Sequence, residues 1–340
     1  MSERIPVTVL TGYLGAGKTT LLNRILAEPH GRRYAVVVNE FGEIGIDGDL
    51  IVSGNEELIE LSNGCICCTV RGDLVRTMRT LLARPDRPDA ILVETTGLAA
   101  PGPVAQTFLV DPVLQTKTCL DSITTLVDAK HIQSQLDDSR EAVEQVAFAD
   151  QIVLNKTELV DEPRLIAIEQ RLRRLNPLAP IQRAVRSNVP LDQVLGRGGF
   201  ELDRILMMEP EMLAATCTAP DHVHDEHCSH GHENERSGHH DHDIGSVSLV
   251  SKIPMDQDKV SAWITWLVET QGKDILRLKG IIDCTGKAQR LVVQAVHMQL
   301  EGDLQRPWRA GEPRSSRLVL IGRNLDRGEL QRGFEACVAR

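Results

Sequence analysis

The chain reads as an α/β protein, with a mostly parallel sheet covered by helices and a smaller α+β unit after it. Three observations carry that expectation. Short apolar runs alternate with helical stretches through the first half, the pattern of buried parallel strands with helices on both faces. The segment Gly12-Tyr13-Leu14-Gly15-Ala16-Gly17-Lys18-Thr19 stands between an apolar strand and a helix. Composition shifts sharply at Pro220, and a folded pattern resumes at Gly245.

Taken in order, residues 5–10 read as a buried strand. Residues 19–27 follow as a helix, with Leu21, Leu22, Ile25 and Leu26 at helical spacing. Residues 34–38 form a second apolar strand that ends at Asn39-Glu40-Phe41-Gly42, after which Gly45, Gly48 and Gly54 mark a mobile segment. A short strand over 58–61 leads into Gly64-Cys65-Ile66-Cys67-Cys68, and 73–83 reads as a helix. Residues 90–93, 124–127 and 151–154 are further strands separated by helical stretches.

Between Asp221 and Asp243 stand eight histidines, one cysteine and many acids, with hardly an apolar residue. Such a stretch buries too little surface to fold alone and reads as a disordered linker. Beyond it, 246–250 reads as a strand and 260–268 as a helix carrying Trp263 and Trp266. Residues 275–282, 290–300 and 317–321 read as strands, and 325–338 as a closing helix. This second unit has an ordinary domain size. No internal repeat is present.

Composition bounds the function. The 340 residues are 41% hydrophobic and 25% charged, ordinary for a globular protein of two domains. A net charge of −10 and an aromatic fraction of 3% argue against a nucleic-acid partner, which needs cations for phosphates and rings for bases. No charged-then-apolar leader precedes the glycine-rich segment, and no apolar run approaches the ~20 residues of a membrane span. The expectation is a cytoplasmic protein without a membrane partner. Its eight cysteines are then mostly reduced, so clustered ones read as metal or redox ligands.

Residues 12–19 match G-x-x-x-x-G-K-[ST] in its strand-to-helix context. The backbone of Gly12, Gly15, Ala16, Gly17, Lys18, Thr19 and Thr20 is a phosphate cradle at a helix N-terminus. Lys18 reaches the β- and γ-phosphates, and the Thr19 hydroxyl takes Mg²⁺. Glu94, closing the strand in Ile91-Leu92-Val93-Glu94, is the second carboxylate needed to hold Mg²⁺ and place water; otherwise it is a strand-end carboxylate facing solvent. Asn155-Lys156-Thr157-Glu158 follows its own strand, and an Asn-Lys-x-acid segment selects guanine through its ring N–H and exocyclic amine.

Cys65, Cys67 and Cys68 form a dense soft-metal ligand set. Three thiolates from one loop do not close a tetrahedral zinc shell, and no second C-x-x-C pair exists, so the site reads as open and exchangeable. Glu40 is an additional ligand, and a carboxylate in the shell favours Zn²⁺ or Co²⁺. A small apolar cluster or a redox pair are the alternatives. His222, His224, His227, His230, His232, His239, His240 and His242 suit weak, unselective capture of divalent ions, against the plainer reading of a solvated acidic tail. His30, His131 and His297 read as structural, and Cys119, Cys217, Cys284 and Cys337 as ordinary thiols.

These segments together resemble the CobW-like, metal-handling P-loop GTPases, relatives of the GTPases that deliver nickel to urease and hydrogenase. The resemblance runs over nearly the whole chain and includes Arg277-Leu278-Lys279-Gly280 and Ile321-Gly322-Arg323. It implies a P-loop GTPase domain over 1–215, a histidine-rich linker over 216–244 and a CobW-like C-terminal α+β domain over 245–340. It further implies a Mg²⁺-dependent GTPase acting as a metallochaperone, most often for zinc, whose partner is a client metalloprotein. Some members serve cobalamin synthesis with cobalt or activate a nitrile hydratase. Glu158 departs from the family's Asp by one methylene.

The leading expectation is a nucleotide-gated carrier. GTP and Mg²⁺ order residues 39–50 and bring Glu40 towards the three thiols, and hydrolysis to GDP and phosphate releases the ion to a client. A metal buffer working through the histidine tract is the first rival, and a P-loop kinase the second. The sequence leaves a homodimer open. No arginine finger is assignable, so intrinsic turnover is expected to be slow.

Overall fold

A computed structural model describes residues 4–28, 31–38, 57–60, 69–198 and 244–339. Its first sheet has strands β1 (Ile5–Gly12), β2 (Tyr34–Val38), β3 (Glu57–Glu60), β4 (Ala90–Glu94), β5 (Thr118–Asp128), β6 (Gln151–Asn155) and β7 (Ile181–Arg183). They lie in the order β3-β2-β4-β1-β5-β6-β7, and every pairing is parallel. Helices α1 (Lys18–Ala27), α2 (Thr69–Ala83), α3 (Pro101–Val110), α4 (Pro112–Lys117), α5 (Ile132–Asp138), α6 (Arg140–Phe148) and α7 (Glu162–Leu175) make the connections.

Strands β2, β4 and β6 are buried at every position, which is why they read as continuous apolar runs rather than alternating ones. The pleat still sorts their side chains. Val7, Val9, Ala35, Val37, Ile91 and Val93 pack into one core, while Leu10, Val36, Val38 and Leu92 meet Leu21, Leu22 and Ile25 of α1 on the other. Helix starts are fixed by short polar side chains: Asp111 accepts from the Val113 and Leu114 N–H groups, Ser139 from Ala142, and Asp161 from Arg164.

Register places the strand ends beside one another. Leu10 pairs with Glu94, Glu94 with Val38, and Val38 with Glu60. Neighbouring strands are ~4.8 Å apart, so the backbone at the end of β3 is only about 10 Å from that of Glu94. The chain therefore leaves for residues 39–56 and 61–68 from the same edge that carries the phosphate loop.

The second sheet is antiparallel, with β8 (Ile244–Ser251), β9 (Ile275–Asp283), β10 (Gln289–Val296), β11 (Gln299–Pro307) and β12 (Ser316–Arg323) in the order β11-β10-β9-β12-β8. Helices α8 (Gln257–Gln271) and α9 (Arg327–Ala336) cover one face, where Ile264, Leu267 and Phe334 pack with Leu278, Leu291 and Leu318. The other face docks on the first unit: Leu276, Val296, Val319 and Ile321 share a core with Val104 and Phe108 of α3 and Phe148 of α6.

Three expectations change in detail. Residues 290–300 are not one strand but the hairpin β10–β11, because His297 turns the chain at φ 50° and Val296 pairs with Gln299. Strand β5 runs eleven residues instead of the 124–127 core. Helix α2 begins at Thr69, four residues before the expected start.

Candidate functional site

Strand β1 runs into the loop and α1 begins at Lys18. Gly17 sits at φ 107°, and a Cβ there would lie 2.4 Å from Asn155 Nδ2 and 2.8 Å from Ser187 Oγ. Only glycine lets the loop pass so close to the end of β6. The Ala16 N–H donates to the Tyr13 carbonyl at 3.2 Å, closing the turn. Lys18 is buried, and its Nζ donates to the carbonyls of Gly12 at 3.0 Å and Tyr13 at 3.4 Å. Thr20 is exposed. The first-turn N–H groups of α1 have no intrahelical acceptor, which makes this terminus an anion seat.

Glu94 closes β4 with 4% of its surface exposed, and the Thr19 hydroxyl donates to its Oε1 at 3.3 Å. The Thr95 N–H donates to Leu10 O at 3.0 Å and its hydroxyl to Thr11 Oγ1 at 2.9 Å, locking the end of β4 to β1. The chain after Glu94 then lies against the loop: a Cβ on Gly97 would fall 2.6 Å from the Leu14 nitrogen. A glycine-walled cradle, a buried cation and two hard oxygen donors fit a nucleoside triphosphate with Mg²⁺.

Asn155 is buried at the end of β6, and its amide works within the protein. Nδ2 donates to Ala16 O at 2.9 Å and Ser187 Oγ at 3.0 Å, and Oδ1 accepts from the Ser187 N–H at 2.7 Å. Ser187 Oγ donates in turn to Gly17 O at 3.0 Å. Lys156 takes a left-handed φ of 61°, and its Nζ pairs with Asp128 Oδ2 at 2.7 Å. Burial raises the Asp128 pKa, but Lys156, His131 and the Lys130 N–H outweigh it and hold the carboxyl below its ordinary value. Glu158 stands exposed in a single 3₁₀ turn, Thr157–Leu159.

Glu40, Cys65, Cys67 and Cys68 lie outside the described residues. So do His222, His224, His227, His230, His232, His239, His240 and His242, along with His30 and Cys217. Among the described residues, no group of three His, Cys, Asp or Glu side chains is arranged to hold a metal ion. Cys284 and Cys337 are buried, and burial with Asp283 nearby pushes the Cys284 thiol up to about 11. His131 bonds Asp128 at 3.1 Å, and His297 lies on the Phe148 ring.

Sequence reasoning missed Ser187, Asp128 and the buried Gln145, whose Nε2 donates to the Gly97 carbonyl at 3.0 Å. Asp128 was within reach, since it closes β5 at the same sheet edge as Gly12, Glu94 and Asn155. Ser187 and Arg186 are left-handed without being glycine, and no motif marks them.

Two family descriptions cover the chain: "CobW/HypB/UreG, nucleotide-binding domain" matches residues 6–183, and "Cobalamin synthesis protein cobW C-terminal domain" matches residues 244–338. The zinc chaperone YjiA of Escherichia coli is 34% identical over 335 residues, spanning 97% of this chain and 98% of that protein. Zinc-regulated GTPase metalloprotein activator 1 of Schizosaccharomyces pombe is 43% identical over 186 residues, 53% of this chain and 45% of that one. The crystal structure of Zn(II)-bound YjiA GTPase from E. coli matches with a TM-score of 0.74 at 29% identity, covering 99% of this chain and 100% of that one. The chain belongs to the CobW/HypB/UreG family of nucleotide-binding proteins and carries the CobW C-terminal domain.

Proposed function

We propose that this chain is a Mg²⁺-dependent GTPase that binds a zinc ion under nucleotide control and passes it to a client metalloprotein. The observation that carries this reading is the row Leu10, Glu94, Val38 and Glu60 across the sheet. It supports a gate because β2 and β3 end near Glu94, the partner of Thr19, and the chain continues from those ends to Glu40 and the three thiols.

In this reading Lys18 balances the charge of the β- and γ-phosphates, Lys156 and Glu158 present the guanine side, and Asn155 braces their segment against the phosphate loop. When bound, Mg²⁺ supplies concentrated positive charge for the phosphate oxygens, and Thr19 and Glu94 are the residues that would hold it. Water attacks the γ-phosphorus, the bond to the β–γ bridging oxygen breaks, and GDP and phosphate leave. Zinc is cargo. Cys65, Cys67, Cys68 and Glu40 bind it tightly while GTP holds residues 39–50 in place and loosely after hydrolysis. Nucleotide and metal therefore favour one another by the same coupling free energy.

The similarity to a bacterial zinc chaperone and to a fission-yeast zinc-regulated GTPase metalloprotein activator supports zinc as the cargo and a metalloprotein as its receiver. The ligand set also accepts Co²⁺. The histidine tract would capture ions, within a division into residues 1–215, 216–244 and 245–340. No described helix is long and apolar enough to cross a membrane. The proposed place of work is the cytoplasm.

Zinc titration against a competing chelator, with and without a non-hydrolysable GTP analogue, tests the gate. Affinity should rise about tenfold or more with the analogue. Equal affinity in both states refutes gating. Replacing Cys65, Cys67 and Cys68 by Ser should abolish tight binding and leave GTP affinity intact. Deleting 221–243 should lower capacity but keep the gated site; loss of all zinc binding would make the protein a buffer.

A further inference from the structure

Gln145 joins the nucleotide site to α6. Its side chain is buried, and Nε2 donates to the carbonyls of Gly97 at 3.0 Å and Ala99 at 3.2 Å. Its own backbone carbonyl accepts from the Thr125 hydroxyl of β5 at 2.8 Å. Both amide protons are thus spent on the turn that follows Glu94, the same turn that lies against Leu14 of the phosphate loop. A carboxylate in this place would face two carbonyl oxygens, and an apolar side chain would take this donor from the buried Gly97 carbonyl and the part-buried Ala99 carbonyl.

The C-terminal sheet grips α6 from the other side. Arg323 of β12 pairs with Glu144, the residue next to Gln145. Arg277 of β9 donates to Phe148 O at 2.6 Å, at the end of the helix where a cation is favoured, and it pairs with the buried Asp150. Lys279 reaches Asp150 Oδ1 at 3.1 Å, while Asp150 Oδ2 accepts from the Ile123 N–H of β5 at 2.9 Å. The His297 ring packs on Phe148 with centroids 5.1 Å apart.

We propose that α6 couples the C-terminal sheet to the hydrolytic site, with Gln145 as the positioning residue that sets the turn after Glu94. Displacement of Gly97 by the γ-phosphate moves Gln145 and hence α6 against Arg277, Lys279 and Arg323. In the reverse direction, a client bound to the C-terminal domain changes turnover. Side chains packed as closely as these shift together rather than deform gradually. This rests on the GTPase reading and adds to it the route by which the second domain senses nucleotide.

The test uses the full chain and the variants Gln145→Leu, Arg323→Met and their double. Arg323→Met is the mild probe, since Glu144 keeps its 2.8 Å bond to Arg140. Amide exchange of the turn is the first readout. The Ala99 N–H, bonded to Thr96 O at 3.1 Å, should exchange several-fold faster in Arg323→Met, although Arg323 does not touch it. Turnover is the second: Gln145→Leu should lower kcat about tenfold with KM within about twofold, and adding Arg323→Met should lower it no further. A purely structural role would lower thermal stability and leave that split and that non-additivity absent. Unchanged exchange at Ala99 in folded Arg323→Met, or fully multiplicative losses, overturns the coupling. A wild-type chain that turns over no GTP overturns the GTPase reading instead, and the exchange result still decides the coupling.

Discussion

Asn155 and Ser187 hold one another by two hydrogen bonds, Nδ2 to Oγ at 3.0 Å and Ser187 N–H to Oδ1 at 2.7 Å. The same Asn155 amide donates to Ala16 O at 2.9 Å, so one side chain fastens the end of β6, the 186–187 turn and the phosphate loop. Its role is to keep three separate strand exits in register before nucleotide arrives. Replacing Asn155 by Ala removes all three bonds and should raise the Kd for GDP roughly tenfold or more by calorimetry. Ser187→Ala keeps its backbone donor and should cost only a few-fold. Unaltered GDP affinity in Asn155→Ala would detach this residue from the nucleotide site.

The Thr19–Glu94 contact joins a neutral hydroxyl to a carboxylate buried at a strand end. Glu94→Gln preserves shape and removes the charge. GTP turnover should fall on the order of a hundredfold, while GDP binds within a few-fold of the parent. Turnover measured across a Mg²⁺ series checks it. Rates within twofold of the parent at every Mg²⁺ concentration would remove Glu94 from the hydrolytic site.

The legible parts of this site were those written in one local stretch. Lys18, Thr19 and Glu94 announce themselves because a strand, its closing residue and the next helix are consecutive, and parallel sheets gather strand ends at one edge. What escaped is long-range or unmarked. Gln145 looks like any polar residue on a helix, and its acceptor at Gly97 is 48 positions away. Arg277 and Asp150 are 127 apart and meet only when the sheet docks. The His297 turn carries none of the glycine or asparagine that signals a hairpin, so β10 and β11 read as a single strand.

His297 gives the domain contact a pH dependence. Burial pushes its folded-state pKa below the ordinary 6.5, although the Gly272 carbonyl and Glu144 pull the other way. Below 6.5 the unfolded chain takes a proton that the folded chain resists. This contribution is therefore complete above about pH 6.5 and shrinks as pH falls towards the lower folded value. Thermal melts between about pH 7 and 5.5 should show a steeper loss for the parent than for His297→Asn, which tolerates the left-handed turn. Parallel curves for the two proteins would show that folding does not lower the His297 pKa.

Asp150 lies buried between the two units, with Arg277 and Lys279 as its cations. Burial raises its pKa, but the two cations and the Ile123 N–H more than offset this, so the folded value lies below 3.8. Its stabilisation is present above about pH 3.8 and disappears as pH falls through that lower value. Arg277→Met strands much of the negative charge in a closed core and should cost about 3–5 kcal/mol by urea unfolding. The double variant Arg277→Met with Asp150→Leu removes both charges and should recover a large part of that loss, because the stranded ion, and not the missing pair, is what destabilises. Additive losses in the double variant would instead assign the energy to the separate bonds that Arg277 makes to Phe148 O and Asp150 makes to the Ile123 N–H.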